Sequence, residues 1–214
     1  MGSAMNATLD PSQFLLRRLH SLLGLLPIGA FLTFHLWENS QSRFGAEHYN
    51  TRVVATLQEM NYLVFVELFV IALPLLFHAA YGLAITGQMR AELSRYPYAR
   101  NRFYWLQRIS GVGILVFLLL HVGTTRLQGL WQPAVRDDLY GHMQGMLSDP
   151  LVFGFYALGL LLSVFHLANG LSTMAIVWGL TTSARAQRLF GYVCTALGLV
   201  LGAIGIHGLL GFLP

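Results

Sequence analysis

The stretch LVFGFYALGLLLSVFHLANG, residues 151–170, decides the fold. It carries no acidic or basic side chain, and as a helix its 20 residues would cross the roughly 30 Å hydrocarbon core of a bilayer. Near its far end sits His166. An ionisable ring within lipid is costly and asks for a purpose. Outward from this stretch, three earlier apolar segments each hold one histidine too: His35, His78 and His121, and the successive intervals are 43, 43 and 45 residues. Imidazole is a good iron ligand, and two facing rings can hold a haem within a helical bundle. Four such rings point to two bis-histidine haems stacked through a membrane.

Composition agrees about the solvent. Hydrophobic residues make up 55% of the chain, charged residues 10%, and the mean hydropathy is +0.58, whereas soluble domains carry about 25% charged residues. The pattern predicts an all-α integral membrane protein, a single membrane domain over 1–214, with transmembrane helices at about 14–37, 62–87, 104–125, 151–180 and 189–212. The start is polar and lacks a small-residue cleavage site, so the first helix is expected to be retained. Pro74 should kink the second span one turn before His78, and Asn61, Pro97, Pro133 and Pro150 punctuate polar connections. No repeat is visible beyond the histidine spacing.

All 13 basic residues are arginine. Nine (Arg17, Arg18, Arg90, Arg95, Arg100, Arg102, Arg108, Arg185, Arg188) lie on one side of this topology and four (Arg43, Arg52, Arg126, Arg136) on the other. That asymmetry predicts a cytoplasmic N-terminus and an outside C-terminus. The basic residues form no face interleaved with stacking aromatics, so no nucleic-acid partner is expected. The lone Cys194 excludes a disulfide framework and a Cys-x-x-Cys-His haem attachment.

Depth then selects the pairs. His35 precedes Trp37 and Glu38, and His121 comes five residues before Arg126, so both lie near the outer surface. His78 and His166 fall 17 and 16 residues past Asn61 and Pro150, about 25 Å down. His35 should pair with His121, and His78 with His166, at levels about 15–20 Å apart. Gly82 and Gly170 each follow their histidine by four residues and share its helix face, leaving room for a flat macrocycle. Gly159 and Gly113 continue that pattern; small residues also simply let helices pack closely. His48 and His142 read as solvated loop residues, and His207 as a packing or quinone-side residue. His20 is either a headgroup anchor or a ligand.

Several motifs carry a family resemblance that covers nearly the whole chain. They are FLLRRLHSLLG (14–24) leading to His35, LPLLFHAAYG (73–82), YWLQRISG (104–111) leading to His121, and FHLANG (165–170). Together they resemble the membrane anchor of succinate dehydrogenases and fumarate reductases, in its single-polypeptide, five-helix, dihaem cytochrome b form found with menaquinone. The resemblance implies two haem b groups on His35, His78, His121 and His166, helices one and three holding the outer and two and four the inner. It further implies a flavoprotein subunit with FAD and an iron–sulfur subunit on the cytoplasmic face of a bacterial inner membrane, in a complex that can assemble into a higher-order oligomer. Succinate or fumarate chemistry would occur in another chain, and this one would pass electrons to or from a quinone. A glutamate that one fumarate reductase of the family uses well before its helix-two histidine has no counterpart at matching spacing. The rivals are a b-type subunit of a hydrogenase or formate dehydrogenase, and a transporter with a histidine proton relay. The first lacks the Arg-Arg-Leu-His-Ser opening, and the second would show internal repeats and broken spans.

Haem carboxylates need partners in hydrocarbon. Arg17, Ser21, Gln107, Arg108 and Ser110 stand at the inner edge, Arg108 foremost, and Arg126 is the nearest cation to the outer haem. Flanking and snorkelling would also account for these arginines. Glu67, 11 residues before His78, faces the same way about 16 Å nearer the outer surface. A carboxyl group there suits proton exchange with a quinone, or it is hydrogen-bonded to a neighbouring helix. The alternative quinone site is the inner edge around Arg17, His20 and Ser21.

Overall fold

The computed structural model describes residues 11–88, 95 and 98–214. Arg90 and Pro97, used above for topology, lie outside them. Among the described residues there is no strand, and five helices are long and apolar enough to cross a membrane: Pro11–Phe44, Leu63–Gly87, Ala99–Leu130, Pro150–Val177 and Ala184–Gly211. The chain is an all-α integral membrane protein.

Several ends differ from the sequence expectation for local reasons. Span one runs on to Phe44 but is interrupted at Leu26, because Pro27 opens its second half and offers no N–H to the preceding turn. Span three begins at Ala99 and is extended to Leu130 by a wide π-helical turn at Gly123–Leu127 and a tighter one at Gln128–Leu130. Span four starts on Asp149, whose carboxylate accepts from Leu151 N at 2.7 Å, and ends at Val177 rather than 180 because Gly179 adopts φ 72. Around Pro74, span two is π-helical over Val66–Ala72 before the α-helix Leu73–Gly87, a widened turn beside the missing donor.

Spans one to four enclose the histidines, and span five lies outside them against spans four and one. Small residues make that contact close: a Cβ on Gly205 would strike Leu160, and one on Gly208 would come within 2.8 Å of the Asn39 backbone. At the end carrying Asn39, the connections fold back as a cap. Residues Tyr49, Val53, Val54, Tyr140, Met143 and Leu147 form a buried core with Tyr156 and Phe212. The cap also takes the last carbonyls of span five, which a helix leaves unsatisfied. Ser42 Oγ donates to Gly208 O at 2.6 Å and Tyr140 OH to Gly211 O at 2.8 Å.

Candidate functional site

The four spans bring their histidines together in two pairs. His35 and His121 have ring centres 5.9 Å apart with planes at 70°, and His78 and His166 have ring centres 6.2 Å apart with planes at 83°. The first pair lies beneath the cap and the second at the far side of the bundle. Two metal–imidazole bonds of about 2.0–2.1 Å, plus about 1.1 Å from each nitrogen to its ring centre, require roughly 6.3 Å between ring centres. Both separations are close to that span, so the donor set fits a six-coordinate iron with two axial imidazoles.

Glycines make room for these rings, but not the ones expected. A Cβ on Gly24 of span one would collide with the His78 ring, and one on Gly111 of span three would come 3.1 Å from His166 Cε1. A Cβ on Gly82 would instead come 3.2 Å from His20 Nε2 and one on Gly170 3.2 Å from Gln107 Nε2, while Gly159 and Gly113 make room for Phe117 and Leu162. Each far-side ring therefore stands against the neighbouring span. His20 stacks on His78, ring centres 4.1 Å apart and 6° from parallel, so its ring is directed into the bundle rather than at headgroups.

The polar residues expected at the far edge divide. Ser21 accepts from Trp178 Nε1 at 3.0 Å and donates to Arg18 O at 2.9 Å, tying span one to the end of span four. Gln107 Nε2 donates to His166 O at 3.0 Å, and Ser110 Oγ lies 3.0 Å from His166 Nδ1. Arg17 is exposed; it is Arg18 that turns inward, its guanidinium 4.5 Å from the Phe14 ring and 4.9 Å from the Trp178 ring. Arg108 lies over Tyr104, 3.5 Å from the ring centre. Among the described residues, the Nε atoms of Arg18 and Arg108 are buried without a hydrogen-bond partner, as donors awaiting an anionic acceptor would be.

On the cap side, Arg126 is not turned toward the histidines. Its guanidinium clasps Glu67 of span two, Nε to Oε1 at 2.6 Å and Nη2 to Oε2 at 2.7 Å. The pair joins spans two and three through π-helical turns on both helices, and each charge neutralises the other at a partly exposed site. His142 is not solvated either: it is half-buried and its Nε2 lies 2.8 Å from Thr124 O. His48 is also half-buried, against Gln41 at 3.3 Å. His207 is exposed on span five. The roles of Gly24, Gly111 and Arg18 are not legible in the sequence because each depends on a neighbouring span.

Comparison with known proteins agrees with this architecture. Residues 88–205 match the family described as succinate dehydrogenase/fumarate reductase transmembrane subunit. The succinate dehydrogenase cytochrome b558 subunit of Bacillus subtilis (strain 168) is 36% identical over 200 residues, covering 94% of this chain and 97% of that protein. With five apolar helices, four of them enclosing paired histidines, the chain belongs to the family of membrane subunits of succinate dehydrogenases and fumarate reductases.

Proposed function

We propose that the chain is a dihaem cytochrome b that carries electrons between an iron–sulfur partner subunit and menaquinone, with one haem on His35 and His121 and the other on His78 and His166. The observation that carries this is the pair of ring separations, 5.9 and 6.2 Å, each close to the span of two axial imidazoles. The name of the Bacillus subtilis relative, a cytochrome b558, supports the same cofactor. When bound, each haem would supply a one-electron couple with no open iron position, suited to transfer rather than oxygen chemistry.

The chain's own residues supply the rest. Four helices fix the ligands at two levels, and the cap screens the upper pair from water. Arg18 and Arg108 offer unpartnered buried donors to the far-side carboxylates. The far side carries most of the arginines and is the cytoplasmic face, where the flavoprotein and iron–sulfur subunits dock, and the cap faces outward. In this reading Glu67, held by Arg126 on the cap side, is the group that exchanges protons with a quinone.

A reduced-minus-oxidised spectrum of the purified complex tests the reading. Two b-type haems per chain are expected. His35→Ala or His121→Ala should remove one and leave the other, and His78→Ala or His166→Ala should do the reverse. Absence of a b-type band, or retention of both haems in all four variants, would refute it.

A further inference from the structure

The far-side histidines are held differently from the cap-side ones. His78 Nδ1 lies 3.0 Å from the main-chain oxygen of His20. A carbonyl only accepts, so this ring carries its hydrogen on Nδ1 and its lone pair on Nε2. His166 Nδ1 lies 3.0 Å from the Ser110 hydroxyl, which also lies 3.0 Å from Gln107 O. Serine has one hydrogen, and Gln107 O can only accept it. Both contacts form together only when Ser110 donates to Gln107 and accepts from His166 Nδ1. Ser110 is 2% exposed, so water does not compete. Asn169 Nδ2 donates to Gln107 Oε1 at 2.7 Å and Gln107 Nε2 donates to His166 O, which fixes the turn of span four that bears the ring.

The cap-side rings have no such arrangement. His121 Nδ1 reaches Tyr156 OH at 3.4 Å, a hydroxyl that can give or take, and His35 meets the Asn39 amide nitrogen through Nε2 at 3.3 Å.

We propose that Ser110 is a positioning residue for His166: by accepting its Nδ1 hydrogen it presents Nε2 toward His78 and raises the basicity of that ligand at the far-side level alone. This rests on the haem reading above. An acceptor on the second ring nitrogen makes an axial imidazole a stronger donor, and a stronger donor favours the oxidised iron. Removing the acceptor should therefore raise the potential of the far-side haem.

The test uses the purified membrane complex with Ser110→Ala, Ser110→Thr and His166→Ala, followed by optical redox titration and low-temperature EPR. Ser110→Ala should raise the midpoint potential of the far-side haem and leave the cap-side one in place. Ser110→Thr keeps the hydroxyl and should return it toward the starting value. Loss of the far-side haem from the alanine variant with retention in the threonine variant also supports the proposal, as a supporting partner of a metal ligand is worth about 10–100-fold in affinity. Unchanged potentials in Ser110→Ala, or equal shifts or losses in both serine variants, would overturn it. Retention of both haems by His166→Ala would instead sink the ligation itself.

Discussion

Gly24→Ala isolates the fit between span one and the His78 ring. The added Cβ would collide with Cε1 and stand 2.7 Å from Nδ1, where ordinary carbon contacts lie at about 3.5–4.0 Å. The ring must retreat by roughly 1 Å. His78 Nδ1 is only 3.0 Å from His20 O, and a donor–acceptor separation of about 3.6 Å or more is no longer a hydrogen bond. Overpacking costs about 1–3 kcal/mol and the lost bond about 0.5–1.5 kcal/mol, while alanine returns up to about 1 kcal/mol of helix propensity. The net is a destabilisation of about 0.5–4.5 kcal/mol concentrated at the far-side level. Gly111→Ala, with His166 Cε1 at 3.1 Å, should do the same more mildly, and Gly154→Ala, which meets nothing within 4 Å, should do no harm. Haem stoichiometry and thermal stability of the purified protein report the order. If Gly24→Ala kept both haems, with unshifted potentials and unchanged stability, the ring would not be seated on span one as described.

Two further outcomes are expected. Glu67→Gln breaks the doubly bonded pair with Arg126 and should slow quinone turnover while leaving both haem spectra intact; normal turnover would remove Glu67 from proton transfer. Tyr49 in the cap is held above the ordinary phenol range by burial, with Glu38 adding to it. The unfolded phenol ionises near about pH 10 and the folded one does not, so cap stability is intact below that pH and falls as pH rises beyond it. Hydrogen exchange in residues 46–58 should rise above pH ~10 and do so less in Tyr49→Phe; equal alkaline sensitivity would refute the assignment.

What could be read from the sequence was whatever is encoded along one helix. Charged and aromatic boundaries fix depth, and depth alone brought His35 to the level of His121 and His78 to that of His166. Contacts between helices were not readable in that way. Gly24 carries no signal along its own helix, because the histidine it seats belongs to span two. Nearness to His121 in sequence points Arg126 at a haem carboxylate, whereas the opposite charge on span two claims it. The cap segments look like polar connections by composition, although the spacing of Tyr49, Val53, Val54 and Leu57, and of Tyr140, Met143 and Leu147, is that of helices with one buried face.

Around the nearly equal histidine intervals, short stretches of the second and fourth spans also match. Phe77-His78 with Ala80 and Gly82 corresponds to Phe165-His166 with Ala168 and Gly170, an offset of 88 residues, and Gly24 corresponds to Gly111 at an offset of 87. In each case, a far-side histidine leans on a glycine of the preceding span and gives its Nδ1 to that same span. The two differ in the receiving group: the main chain of His20 in one and the side chain of Ser110 in the other. A main-chain acceptor remains whatever residue occupies the position, whereas a hydroxyl can be gained or lost by one substitution. The two ring seats are thus alike in their glycine and differ in their acceptor, so the far-side level can be retuned through span three without disturbing the ring held by span one.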